Sequence, residues 1–141
     1  MSTKEIELHF KQDHLIEPET VTKEWGTETI ICREPHACKI MTLKPGQQVS
    51  LHWHAEKTET FVLIKGGLTV EIINQAGERS VIDLTEPDSS ITIERNTPHT
   101  FYCPDGQKES TKFIEASTLD SINDSYRIYK SGPKGEGFTN W

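Results

Sequence analysis

The fold is decided by the stretch Gly46-Gln47-Gln48-Val49-Ser50-Leu51-His52-Trp53-His54-Ala55-Glu56-Lys57-Thr58-Glu59-Thr60-Phe61-Val62-Leu63-Ile64-Lys65-Gly66. His52 and His54 stand two apart in a strand-like pattern, which puts both imidazoles on one face and Leu51 and Trp53 on the other. Such spacing sets the two histidines about 7 Å apart at Cα, near enough to converge on one ion. Glu59 opens the next apolar segment after a short turn, so an antiparallel partner strand is expected to bring its carboxylate to the same point. His99 lies 45 residues beyond His54 in another strand-like segment, and its pairing is expected to add a third imidazole. Imidazole nitrogen with carboxylate oxygen suits one divalent transition metal per chain: Mn, Fe, Zn, Ni or Co. The competing explanation is a solvated strand face, and donors framed by two glycines at this spacing argue against it.

Outward from this stretch, short apolar segments recur with turn chemistry between them. They are 28–32, 37–43, 48–53, 59–65, 68–73, 79–84, 89–94, 98–103 and 111–118, separated by Lys44-Pro45-Gly46, Gly66-Gly67, Asn74-Gln75-Ala76-Gly77, Glu86-Pro87-Asp88 and Pro104-Asp105-Gly106. Strands at this spacing predict an all-β sandwich or barrel. Alternation of Val70 and Ile72 with Thr69 and Glu71, and of Ile91 and Ile93 with Thr92 and Glu94, predicts one buried face and one wet face. Residues 1–24 read as a polar arm with one short strand at Ile6 to Phe10. Asp120 to Lys130 has room for a helical turn, although its Ser, Asn and Asp are poor helix formers, and residues 131–141 read as a mobile Gly-rich tail whose Phe138 and Trp141 can dock.

Composition excludes several function classes. The 141 residues carry a formal charge of −7, which argues against a nucleic-acid binder held on the phosphate backbone. Hydrophobic residues are 33% of the chain and the 9 glycines bring the apolar share to about 39%, below the roughly 45–50% of ordinary domains, so burial through a homodimer is expected. The longest apolar run is Phe61–Ile64, so neither a membrane partner nor an export signal is expected and the cytoplasm is the expected compartment. Cys32, Cys38 and Cys103 are odd in number and contain no CxxC pair, which reads as reduced thiols.

The pattern Gly46-x5-His52-x-His54-x4-Glu59-x6-Gly66 resembles the first cupin motif without departure. The second motif is present through His99, with Asp88, Glu94, Asn96 and Cys103 where its Gly, Pro, Gly and Asn stand. Asn96 replaces a turn glycine, and Asn tolerates positive φ better than most residues. The resemblance implies a double-stranded β-helix, the jelly-roll cupin barrel, over residues 25–130, with one metal on His52, His54, Glu59 and His99. A narrower set is similar to the cupin domain of type II mannose-6-phosphate isomerases and related sugar-phosphate isomerases. It comprises Lys23-x-Trp25-Gly26-x-Glu28, Lys39, Lys44-Pro45-Gly46, Ser50-Leu51-His52, Glu59, Pro98-His99, Ile114-Glu115-Ala116-Ser117 and Asp124-x-x-Arg127. That family often carries Gln at the position of His52. The guanylyltransferase domain that often precedes this cupin domain is not in these residues, so that activity is not expected.

Around the metal, Glu115 and Lys39 are the candidate catalytic residues, because each sits in an otherwise apolar strand where a charge needs a partner or a ligand. Arg127, Cys103 and Phe101 are the candidate substrate-binding residues: Arg127 as an anion fork, Phe101 and Cys103 because they share the face of His99, with a small interior filler as the competing and commoner role of Cys103. The expected function is an aldose–ketose isomerase or epimerase acting on a sugar or sugar phosphate, a small-molecule carbohydrate substrate. A metal-dependent dioxygenase or oxidase and a non-enzymatic sugar-binding module are the alternatives.

Overall fold

The computed structural model describes residues 15–118, 120–121 and 123–135. Thirteen strands and no helix occur among them. In chain order they begin β1 (Glu19–Lys23), β2 (Gly26–Cys32), β3 (Ala37–Leu43), β4 (Gln47–Gln48), β5 (Leu51–Trp53) and β6 (Glu59–Lys65). They continue β7 (Leu68–Ile73), β8 (Arg79–Leu84), β9 (Ser90–Ile93), β10 (His99–Tyr102), β11 (Thr111–Ser117), β12 (Tyr126–Tyr129) and β13 (Gly132–Pro133). The strand expected at Ile6 to Phe10, and the aromatic residues Phe138 and Trp141, lie outside the described residues.

One sheet runs β1-β2-β3-β11-β6-β9 and the other β12-β5-β10-β4-β13, with β7 and then β8 added on the far edge of β10. Every pairing is antiparallel, and the two sheets enclose the core as the jelly-roll barrel of a double-stranded β-helix. Phe61 on β6 and Phe113 on β11 meet Phe101 on β10 edge to face, with ring centroids 5.0–5.5 Å apart. Each such contact adds about 0.5–1.5 kcal/mol to the burial of the rings. Met41, Leu43, Leu63, Leu68, Val70 and Ile93 fill the space around them.

Several local expectations are corrected. Segment 48–53 is not one strand: it divides into β4 and β5 around Val49 and Ser50, and both halves border β10. The stretch with room for a helical turn forms β12, which pairs with β5. Within the polar arm, Glu19–Lys23 pairs with β2, and within the tail Gly132–Pro133 pairs with β4. Thr69 and Glu71, assigned to a wet face, are buried. The β8 strand covers them, where Thr69 donates to Asp83 Oδ1 at 2.7 Å and Glu71 lies 3.4 Å from Arg79.

The turn before His99 needs a left-handed residue. Asn96 supplies it at φ 62°, and its N–H donates to the His54 carbonyl at 2.7 Å. Asn96 therefore does the work of the motif's glycine and ties the His99 turn to the His54 loop. Gly66 turns the β6–β7 connection at φ +82°, where a Cβ would stand 3.0 Å from Gln107 Nε2 and 3.1 Å from Thr111 Oγ1.

Candidate metal centre and its pocket

β5 carries His52 on its middle residue and delivers His54 just past its end. His99 opens β10 in direct register with His52, which explains why residues so far apart in sequence share a site. Glu59 arrives differently from the expectation. β6 does not pair with β5 at all; it belongs to the opposite sheet, between β11 and β9. The carboxylate therefore reaches across the barrel, and the centre is held by both sheets.

Four donor atoms, one each from His52, His54, Glu59 and His99, lie within 4.8 Å of one another. Glu59 Oε1 is 2.7 Å from His99 Nε2 and 3.4 Å from His54 Nε2. These three atoms are buried, and none has a hydrogen-bond partner. A buried polar atom left unsatisfied costs about 1–3 kcal/mol, and one cation at their common point would satisfy all three. The other ring nitrogens are already committed. The Nδ1 of His52 donates to Ser50 O at 2.7 Å, that of His54 to Asp124 O at 2.7 Å, and that of His99 to Thr97 O at 2.9 Å. A carbonyl only accepts, so Nδ1 carries the proton on each ring and a neutral ring presents the bare Nε2 inward. The residues fit one divalent transition metal.

Charge follows from burial and neighbours. Burial, then the neighbouring His99, drops His52 to about 3, so it stays neutral. Burial presses His54 down, but contact with Glu59 outweighs it and leaves the imidazole above its ordinary value. Burial also opposes the charge on Glu59, yet His54 and His99 hold the carboxyl well below the usual range.

Behind the ligands lies a buried box of charges. Lys39 Nζ is 2.7 Å from Glu28 and 3.0 Å from Asp120, with Glu115 at 3.9 Å. Lys57 Nζ is 3.2 Å from Asp120 and 3.5 Å from both Glu115 and Glu59. Arg33 closes the outer side with a 2.7 Å contact to Asp120. Burial opposes the charge on each lysine, but the surrounding carboxylates prevail and raise both ammonium groups above their ordinary value. Asp120 is lowered: burial works against it, and Lys57 and Lys39 outweigh burial. Glu115 is pushed up to about 8, first by burial and then by the charge of Glu59.

A cavity of about 320 Å³ opens onto the ligands, within the usual size of small-molecule sites. His52, His54, Lys39, Lys57, Phe101, Glu115, Asp120 and Arg127 line it, with Trp25, Met41 and Val49 among the apolar walls. Glu115 pairs with Lys39 across β11 and β3, and Arg127 with His52 across β12 and β5. Cys103 is not brought to the pocket. It shares its strand face with His99 but lies at the other end of the barrel, where Sγ meets Leu43 O and Thr111 Oγ1, both at 3.3 Å. Lys39 is present but already paired, so it is not an open cation awaiting an anion.

Lys57, Asp120, Glu28 and Asp124 carry site functions that the sequence reading assigned to no one. Lys57 falls between two metal ligands in the motif, and a basic residue there was the available signal. Asp124 accepts from the backbone N–H of Ala55 at 2.8 Å and of Glu56 at 3.1 Å, while its carbonyl takes the His54 ring N–H. It staples the loop that presents His54.

Comparison with known proteins agrees with this geometry. A family model described as a cupin domain matches residues 39–114, more than half of the chain. No curated protein sequence matches. Among solved structures, the oxalate decarboxylase of Bacillus subtilis at pH 4.6 is similar with a TM-score of 0.69 and 22% identity over 79% of this chain. A study of the Mn(II) centres of the same enzyme gives a TM-score of 0.68 at 22% identity, again over 79% of this chain. This chain spans 30% of that enzyme's length, and identity this low establishes the shared fold.

Proposed function

This chain belongs to the cupin domain family, and from that premise we propose that it is a metal-dependent aldose–ketose isomerase or epimerase acting on a sugar or sugar phosphate. The observation that carries the proposal is the placement of Glu115: a buried carboxyl on the pocket wall, beside the metal ligands but outside the set that converges on the ion. The resemblance to sugar-phosphate isomerase cupins over residues 23–130 supports the same substrate class. A metal on His52, His54, Glu59 and His99 would supply Lewis acidity toward neighbouring carbonyl and hydroxyl oxygens.

The protein's own groups then have separate tasks. Glu115 takes the proton from C2 and returns it to C1: the C2–H bond breaks, its electron pair forms the C1–C2 double bond of the enediol, and the proton given up by the C2 hydroxyl ends on the former carbonyl oxygen at C1. Lys39 keeps its proton among Glu28, Asp120 and Glu115, so it positions the acidic wall and leaves the base role to Glu115. Phe101 and Trp25 offer apolar and aromatic surface to the carbon face of a sugar. Arg127 at the mouth binds an anionic substituent through its planar fork. Cytoplasmic residence and a homodimer belong to the same proposal, and sedimentation at twice the chain mass is the expected result.

The test is turnover of an aldose, ketose and sugar-phosphate panel by metal-loaded protein without oxygen. Interconversion should persist anaerobically, vanish with chelator and fall mainly in kcat for Glu115→Gln. Solvent deuterium at C2 would support the enediol route. Strict dependence on oxygen would replace this reading with dioxygenase or oxidase chemistry. A panel in which nothing turns over or raises the melting temperature overturns the isomerase.

A further inference from the structure

Cys32 and Cys38 are far from the metal centre's ligands in role but face each other directly. They are register partners across β2 and β3, immediately after the irregularity between Ile30 and Cys32. Antiparallel partners stand about 4.5–5.5 Å apart at Cα, inside the roughly 4.4–6.8 Å range that a disulfide spans. Both thiols are free and half-buried, so neither is locked in the core. Burial and then the proximity of Cys32 hold the Cys38 thiol above its ordinary value, with Glu115 contributing less. Cys103 offers the contrast: it is buried, and its sulfur is engaged at the opposite end of the barrel.

We propose that Cys32 and Cys38 form a peroxide-sensitive dithiol, a second reactive site that closes to a cross-strand disulfide. One thiolate of the pair attacks the O–O bond of a hydroperoxide, giving a sulfenic acid and releasing water or the corresponding alcohol. The partner thiol then displaces the sulfenic oxygen, forming the S–S bond and releasing water. Two thiols are oxidised by two electrons, and the peroxide is the electron acceptor.

The location gives the bond a structural consequence. Arg33 follows Cys32 and Lys39 follows Cys38, and these two side chains contact the same Asp120 Oδ2, at 2.7 and 3.0 Å. Asp120 borders the pocket. Closing the bond braces both strands that hold this carboxylate.

The chain provides its own readout. Arg33 lies between the two cysteines, so trypsin places Cys32 in residues 24–33 and Cys38 in residues 34–39. The full-length protein, with and without near-stoichiometric hydrogen peroxide, is denatured, alkylated and digested for mass spectrometry. The expected product is these two peptides joined, lighter by two hydrogens than the sum of the thiols, with Cys103 alkylated. The bond should be absent from Cys38→Ser and from Cys32→Ser, and dithiothreitol should reverse it. Oxidised wild type should melt higher than reduced wild type, a difference that Cys38→Ser loses. Full alkylation of Cys32 and Cys38 after peroxide, over-oxidation without linkage, or linkage only between two copies would each overturn the dithiol. An intramolecular bond without any melting difference would overturn the bracing.

Discussion

The two ends of the barrel are both polar inside, and they differ in how that polarity is satisfied. At the end formed by the β6–β7 turn, Thr111 Oγ1 donates to Gly67 O, accepts from Gln107 Nε2 at 2.7 Å and meets the Cys103 thiol at 3.3 Å. Gly67 N donates to Gln107 Oε1 at 2.8 Å. The loop at that end is closed by hydrogen bonds. At the metal end, three buried donor atoms on His54, Glu59 and His99 point at one another without a hydrogen bond. Three unsatisfied atoms converging on one point mark the metal end as the one kept for a ligand.

The largest effect should come from breaking the open end. His52→Ala with His54→Ala should take metal content from one ion per chain to none by elemental analysis, with the β-sheet circular-dichroism spectrum retained. Chelation of the wild type should lower its melting temperature, since an ion bound only by the native state stabilises it.

Next comes the charge box behind the ligands. Lys39→Met removes the cation between Glu28 and Asp120, leaving the buried Glu28 without its closest partner while Asp120 keeps Arg33 and Lys57. A loss of about 3–5 kcal/mol is expected in urea unfolding, larger than any direct effect on substrate binding.

The closed end should break more gently and without touching the metal. Thr111→Val strands the Gly67 carbonyl and leaves Gln107 Nε2 with Glu109 O as its remaining acceptor, which should cost about 1–3 kcal/mol, while metal stoichiometry stays at one. Reduced stoichiometry in this variant would show that the two ends are not independent.

The smallest effect concerns acid. Asp120 titrates lower in the folded chain than in the unfolded one, so its contribution is present above the unfolded value near 3.9. That contribution is lost as pH falls through the lower folded value. Stability of Asp120→Asn should therefore fall less steeply than wild type below pH ~4, read from melting temperature against pH.

Legibility in the sequence tracked locality. β3, β6, β7 and β8 occupy the short apolar segments expected between turns, because each has an apolar face to read. β1 carries mostly exposed polar residues, and β12 (Tyr-Arg-Ile-Tyr) is exposed on both faces over most of its length, so neither has a burial period to find. The cluster of His52, His54, Glu59 and His99 was visible because three members sit within eight residues. The charge box was not, since Glu28, Lys39, Lys57, Glu115 and Asp120 come from separate elements that only the barrel brings together. Cys103 misled for a related reason: strand periodicity gives the face of a residue, whereas its distance along the strand decides which end of the barrel it serves.

The staple made by Asp124 has a temporal meaning. His54 lies 70 residues before the carbonyl that orients its ring. As synthesis proceeds from the N-terminus, His52, His54 and Glu59 emerge together, but His99 follows much later and the His54 ring gains its anchor only when Asp124 arrives. Contacts of such sequence separation form late. Tight metal capture should therefore await the arrival of Asp124, making ion uptake a marker of the closed barrel rather than its seed.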